Sequence, residues 1–176
     1  PVQPLSSSFP RHSGVRWLAV VAVAGAAGLL RGGRTGACDL MSVVSLPKLD
    51  YRPSPNQSAR NLQRGVVPFL IVVHRPVGSY HGSAEWLRNP RSQASAHVLT
   101  EGNGTGVDVA TQLVPWHRKA WHAQAFNSIS YGIEVDDNAW DGGDPQARAT
   151  AARIVAFLCH KTGIPAVQAR RPTHDA

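Results

Sequence analysis

A continuous apolar run constrains the fold of this chain more than any other segment. Residues 66–73 read Val-Val-Pro-Phe-Leu-Ile-Val-Val, rich in β-branched side chains, and His74 follows them. Such a run is typical of a strand covered on both faces, as in the central sheet of an α/β protein. We therefore predict a central strand there and place His74 where that strand emerges at the sheet edge, a position where α/β folds carry functional groups.

The segments after this strand predict the rest of one mixed sheet. The predicted elements are a short helix at 83–88, strands at 95–100, 107–114 and 128–135, a turn at 102–106 and a loop at 137–143. A longer helix is predicted over 145–162, with Asp144 as N-cap, Pro145 at its first position and Gly163 just after its end. The fold class is α/β, a single mixed central β-sheet flanked by helices.

The helix at 145–162 carries one apolar face. That face is formed by Ala147, Ala151, Ile154, Val155 and Leu158, at spacings typical of a helix packed on a sheet. Residues 164–167 are apolar and are predicted to begin a further strand.

The chain upstream of residue 66 differs in composition. Residues 1–40 form a low-complexity leader whose apolar core, Trp17 to Leu30, is 14 residues long. A membrane span needs about 20, so we predict no stable span. The leader fits a secretory signal, or sequence upstream of a start at Met41, the only methionine. Residues 41–65 are predicted to be an extended lead-in, and 66–176 the folded domain.

The charge balance favours an anionic partner. The formal net charge is +7 and the isoelectric point is near 10.3. The basic residues are scattered, however, and form neither a basic helix nor a stripe of basic and aromatic side chains. We therefore exclude a nucleic acid as the partner.

Six short segments occur in a fixed order between about Val67 and Pro165. They are Ile-Val-Val-His ending at His74, Trp-Leu-Arg-Asn-Pro at 86–90, Gln-Ala-Ser-Ala-His ending at His97, Gln-Leu-Val-Pro at 112–115, Ala-Trp-His-Ala at 120–123 and Ser-Tyr-Gly-Ile-Glu ending at Glu134. In this order the chain resembles the zinc-dependent N-acetylmuramoyl-L-alanine amidases of the type 2 family. That family includes phage endolysins and the peptidoglycan recognition proteins.

The resemblance implies a Zn²⁺ site, and this sequence supplies only part of its ligand set. His74 matches the first zinc ligand of the family, and the other two ligands follow the long helix. Here the segment after Gly163 lacks the usual Gly-His-x-Asp pattern, and His174 and Asp175 are the only nearby candidates. We expect the remaining ligands beyond Ala176, and thus a domain incomplete at its C-terminal end.

The resemblance also implies roles for residues around that metal. Glu134 matches the carboxylate near the metal and its water, where it could transfer a proton. A carboxylate hydrogen-bonded at a strand end is the structural alternative. Trp121 and His122 match a pair lining the substrate groove, and His97 and Asn127 are further candidates for substrate contact, although loop or core packing explains both as well.

The expected function is cell-wall degradation. The resemblance implies a peptidoglycan hydrolase that cleaves the amide between N-acetylmuramoyl and L-alanine, acting as a monomer on the cell wall, whether secreted or released as a phage endolysin. The alternative is a non-catalytic peptidoglycan-binding module of the same fold. The ligand pair missing from the sequence is the feature that separates the two.

Overall fold

The computed structural model describes residues 45–64, 66–101, 109–136 and 145–167. Its strands are β1 (Asp50–Tyr51), β2 (Gln57–Ala59), β3 (Leu70–His74), β4 (Val98–Glu101), β5 (Val109–Gln112), β6 (Arg118–Ala120) and β7 (Ser130–Val135). Its helices are α1 (Tyr80–Arg88) and α2 (Pro145–Thr162), with short 3-10 helices at Pro90–Ser92 and Gln124–Phe126. The predicted leader at 1–40, turn at 102–106 and loop at 137–143 lie outside the described residues.

The central sheet is mixed, as predicted. Its five described strands follow the order β1-β5-β4-β7-β3. The pairs β1–β5, β4–β7 and β7–β3 are parallel, whereas β4 and β5 are antiparallel. A second, two-stranded sheet pairs β2 with β6 antiparallel.

The two helices cover opposite faces of the sheet, which confirms the predicted layer architecture. Successive residues of a strand point to opposite faces. In β4, Val98 packs in the cluster that holds the apolar residues of α2, while Leu99 packs with those of α1. The core therefore has two parts, one on each side of the sheet.

Strand β3 is shorter than the predicted run and lies elsewhere in the sheet order. All five of its residues are buried, as a strand covered on both faces requires. Val66 and Val67 precede it in irregular structure and are 41% and 64% exposed. Pro68 has no N–H to donate to a ladder, so the strand begins only after it. Among the described strands β3 comes last in the order rather than at the centre.

Helix α2 has the predicted bounds. Gly163 follows it with a φ of +74°, the left-handed conformation expected where a helix ends. Four residues of the predicted apolar face are buried, and Val155 is partly buried beside them. The predicted N-cap, Asp144, lies outside the described residues. Residues 164–167 form no strand, although Ile164 is buried in the same cluster as the α2 face.

Helix α1 begins at Tyr80, three residues before the predicted start. The side chain of Ser79 accepts a hydrogen bond from the Gly82 N–H at 3.3 Å and caps the helix. The predicted end at Arg88 is confirmed.

The segment upstream of residue 66 is part of the packed structure, which differs from the domain start predicted near Val66. It supplies β1 and β2, and Ser54 and Asn56 are buried. The side-chain amide of Asn56 donates to the carbonyls of Asn89 and Ala94 at 2.8 and 2.9 Å. These contacts link residues far apart in sequence, so local patterns do not reveal them. Within the described residues no helix has the length and apolarity to cross a membrane.

Candidate active site

The site begins where two parallel strands end side by side. His74 is the last residue of β3 and is paired in register with Glu134 of β7. Parallel strands bring their carboxyl ends to the same edge of a sheet, so two side chains 60 positions apart in the chain become neighbours. Both are buried, His74 to 1% exposure and Glu134 to 7%.

His122 completes a chain of hydrogen bonds with His74. The hydroxyl of Ser130 donates to the Phe126 carbonyl at 2.6 Å, so its oxygen accepts the proton on Nε2 of His122 at 3.1 Å. A neutral His122 then has an unprotonated Nδ1, which accepts from Nε2 of His74 at 2.9 Å. In this arrangement Nδ1 is the nitrogen of His74 that keeps a lone pair.

A glycine makes room for the His122 ring. A Cβ on Gly132 would lie 2.5 Å from Cγ of His122, closer than real Cβ contacts come. The imidazole therefore lies directly against the backbone of β7. Because side chains alternate along a strand, Ser130, Gly132 and Glu134 share one face, while Tyr131, Ile133 and Val135 enter the core cluster on the α2 side.

Asn127 and Trp121 hold the segment that carries His122. The side-chain oxygen of Asn127 accepts from the backbone N–H of His122 at 2.9 Å and of Ala123 at 2.6 Å. The indole N–H of Trp121 donates to the hydroxyl of Ser58 in β2 at 3.1 Å. Both residues also line the groove, so each has a structural contact in addition to the substrate contact predicted for it.

His97 does not reach the groove, in contrast to the predicted substrate contact. It is fully buried, and its Nδ1 accepts from the Gly132 N–H at 2.9 Å. The remaining proton is then on Nε2, which donates to the carbonyl of Arg118 at 3.1 Å. Both nitrogens are used inside the domain, and the ring stacks on Trp116 at 5.7 Å between centroids.

The groove above these residues has a volume of about 640 Å³. Four of the predicted site residues line it, namely Trp121, His122, Asn127 and Glu134. Helix α1 and residues 91–95 line it as well. The structure thus brings His74, His122 and Glu134 together beside a groove whose volume is typical of a small-molecule binding pocket. His174 and Asp175 lie outside the described residues.

Burial keeps all three polar side chains of the site uncharged. It lowers the pKa of His74 to about 4 and raises the pKa of Glu134 to about 8. The pKa of His122 falls well below its usual value through burial first, and then through the neighbouring His74. The Oε2 atom of Glu134 is buried and has no hydrogen-bond partner within the part of the chain that the structure describes. A carboxylate in that position calls for a cation or a hydrogen-bond donor from a ligand.

These residues fit a zinc site in part. Neutral imidazole nitrogens and carboxylate oxygens are zinc ligands, and a cation beside Glu134 would favour its ionised form. Among the described residues, however, no group of three His, Cys, Asp or Glu side chains could hold a metal ion. In the described part of the chain, His74 is the residue that would hold such an ion, with Glu134 nearby.

Sequence reasoning overlooked Ser130, Gly132 and Ser83. The alternation of β7 could have identified the first two, because they lie four and two residues before Glu134 and must face the same side. Ser83 lies on α1 and lines the groove, and its buried hydroxyl has no hydrogen-bond partner among residues that the structure describes. No local pattern distinguishes Ser83 from an ordinary helix residue.

Comparison with known proteins identifies the family of this chain. The model of the family described as N-acetylmuramoyl-L-alanine amidase matches residues 64–175. N-acetylmuramoyl-L-alanine amidase A of Achromobacter lyticus is 34% identical over 108 residues, which are 60% of this chain and 59% of that protein. The chain thus spans less than two thirds of that relative's length.

Solved structures show the same fold. A crystal structure of AmpD has a TM-score of 0.51 at 23% identity, covering 70% of this chain and 79% of that one. The solution structure of the PlyG catalytic domain has a TM-score of 0.52 at 18% identity, covering 67% of this chain and 73% of that one. With the family model matched over most of the chain, the protein belongs to the type 2 N-acetylmuramoyl-L-alanine amidase superfamily.

Proposed function

We propose that this protein is a zinc-dependent peptidoglycan hydrolase that cleaves the amide between the N-acetylmuramoyl group and L-alanine. The observation that carries the proposal is the buried Oε2 of Glu134, which has no hydrogen-bond partner among the described residues, in a side chain that lines the groove beside the His74–His122 pair. Family membership supports the substrate class. The cell wall is therefore the proposed place of action.

In this proposal His74 would hold the zinc, and the metal would supply the positive charge that polarises water and the scissile carbonyl. Glu134 accepts a proton from the attacking water at Oε2 and returns it to the departing nitrogen of L-alanine. The ionised form of Glu134 needed for the first transfer is favoured by a nearby cation, against the burial that raises its pKa.

The other residues orient the reacting groups. His122 accepts the Nε2 proton of His74 and so fixes the ring orientation and the tautomer of that ligand. Trp121 offers a flat apolar surface to the sugar or peptide in the groove. Asn127 holds the backbone that carries His122 by accepting from the N–H groups of His122 and Ala123.

The experiment replaces Glu134 by Gln, which keeps the side-chain shape and removes the base. Zinc content and thermal unfolding should match the unchanged protein, whereas hydrolysis of purified peptidoglycan should fall about 10²-fold or more. Unchanged hydrolysis would remove Glu134 from the mechanism.

The competing proposal is a binding module of the same fold. The departure of the segment after Gly163 from the family's Gly-His-x-Asp pattern favours it. Zinc titration with a muropeptide cleavage assay separates the two. Tight one-to-one zinc binding with cleavage indicates an enzyme whose site His174 or Asp175 completes, and retention on peptidoglycan without cleavage indicates a binding module.

A further inference from the structure

A second cleft adjoins the active-site groove at helix α1. It has a volume of about 510 Å³ and is lined by Pro53, Gly82, Glu85, Trp86, Arg88 and Asn89. Gly82 and Trp86 line the active-site groove as well, so they form the boundary that the two clefts share. A ligand longer than the groove can extend past these two residues.

Trp86 is exposed in a way that core packing does not explain. Its side chain is 58% exposed, although the same helix buries Tyr80, Ala84 and Leu87 against the sheet. An exposed indole presents a large flat apolar face, with an N–H at its edge. The apolar face of a pyranose ring is a suitable partner for such a surface.

The polar groups of the second cleft suit a neutral ligand. Glu85 and Arg88 form an ion pair at 3.1 Å, so their charges offset each other, and Asn89 adds an amide. Together they offer donors and acceptors without a net charge, as hydroxyl and acetamido groups require. A peptide stem that carries carboxylates would be better matched by Arg91, which lines the active-site groove instead.

Gly82 has no side chain to obstruct the passage between the two clefts. It lies four residues before Trp86 on α1, so the two positions share one helix face. A Cβ at Gly82 would approach only the Ser79 hydroxyl, at an ordinary 3.4 Å. The backbone therefore does not require glycine there, and a larger side chain would stand in the path between the clefts.

We propose that the second cleft is a saccharide subsite, in which an N-acetylhexosamine of the glycan strand stacks on Trp86 next to the muramoyl unit in the groove. This inference rests on the proposed function, because it extends the same substrate past Gly82 and Trp86 into the second cleft. In this proposal the glycan strand lies on the Trp86 side of the groove and the peptide stem lies on the Arg91 side.

Binding of a peptide-free glycan tests the subsite apart from catalysis. The probe is a soluble β-1,4-linked tetramer of N-acetylglucosamine, titrated while the indole N–H resonances are recorded by NMR. The Trp86 resonance, assigned by its loss in Trp86→Ala, should shift, and that variant should bind about tenfold more weakly. Trp86→Phe should bind nearly as well as the unchanged protein, because it retains a flat ring.

Tyr51→Ala is the matched control, since Tyr51 is a similarly exposed aromatic that lines neither cleft. It should bind the tetramer as the unchanged protein does. The inference is overturned if the unchanged protein does not bind the tetramer, or if Trp86→Ala binds it equally well.

Gly82→Leu tests the passage with cleavage as the readout. It should raise KM for long glycan strands about tenfold relative to a single N-acetylmuramoyl-peptide. Equal effects on both substrates would overturn the subsite. If the unchanged protein cleaves neither substrate yet binds the tetramer through Trp86, the proposed hydrolysis fails while the saccharide subsite stands.

Discussion

Nη2 of Arg60 lies 2.7 Å from Nε2 of His97, so the positive charge of a guanidinium lies directly beside a fully buried imidazole. The pKa of His97 is lowered to about 3, by burial first and then by the charge of Arg60, while the Arg118 carbonyl acts in the opposite direction. The other groups near the ring are His122, Tyr131 and Trp116. A positive charge on this ring is therefore unfavourable in the folded domain.

The first prediction concerns acid stability. His97 has a lower pKa in the folded state than in the unfolded state, so its contribution is complete above about pH 6.5 and is lost as the pH falls toward 3. Each pH unit in that window should reduce the free energy of unfolding by about 1.4 kcal/mol for this group. Urea unfolding at pH 7, 6, 5 and 4 measures the slope.

His97→Gln isolates the contribution of this residue. His74 and His122 act in the same direction, since their pKa values are also lowered. The variant should be less stable at pH 7, and its stability should depend less on pH by about one proton. An unchanged slope would show that His97 does not take up a proton on unfolding.

The second prediction concerns Arg60, which ties the lead-in to the loop that carries Asn127. Its Nη1 donates to the carbonyls of Asn127 and Ser128 at 3.3 and 2.7 Å, and its guanidinium lies 5.0 Å from the Tyr131 ring centroid. Arg60→Met should cost about 1–3 kcal/mol of unfolding free energy. Arg64→Met, at an exposed position, should change it by less than about 0.5 kcal/mol. Equal losses in both would contradict a specific role.

The third prediction compares two glycines. Gly132→Ala forces a methyl group against the His122 ring and should destabilise the domain by about 1–3 kcal/mol, with loss of hydrolysis. Gly82→Ala has room for the added methyl group and should stabilise α1 by up to about 1 kcal/mol. Thermal unfolding of the two variants measures the contrast, and a well-tolerated Gly132→Ala would mean that the His122 ring can move away.

The fourth prediction concerns the tautomer of His122. Ser130→Ala removes the acceptor for the Nε2 proton and leaves a buried donor unpaired, which should cost about 1–3 kcal/mol. Ring ¹⁵N chemical shifts should then show the proton redistributed between the two nitrogens. Shifts identical to those of the unchanged protein would mean that another group fixes the tautomer.

Local patterns predicted the elements that carry their own signals. Helix α2 has Pro145 at its start, Gly163 after its end and an apolar face between them, so its bounds could be predicted to the residue. Strand β7 was predicted two residues too long, and β6 was overlooked. The three residues of β6, Arg-Lys-Ala, show no apolar alternation. They form a strand by pairing with β2, so the local sequence does not predict it.

The candidate site was predictable where strand ends determine position. His74 and Glu134 each close a strand, and parallel pairing makes them neighbours. His97 was predicted to contact the substrate because strand alternation does not distinguish a residue that faces a groove from one that faces the interior. The groups that it contacts, Arg60 and the Gly132 N–H, lie inside the domain. The role of Asn56 depends on contacts with residues more than 30 positions away, which no local pattern encodes.

Strand β7 has a consequence for how this protein can change over evolution. Its even-numbered residues Ser130, Gly132 and Glu134 face the site, while Tyr131, Ile133 and Val135 fill the core on the other side. Inserting or deleting one residue within it would exchange the two sets, placing a carboxylate among apolar side chains and a tyrosine or isoleucine against His122. A single substitution in β7 therefore changes either the site or the core during evolution. A change in the length of the strand would disrupt the site and the core together.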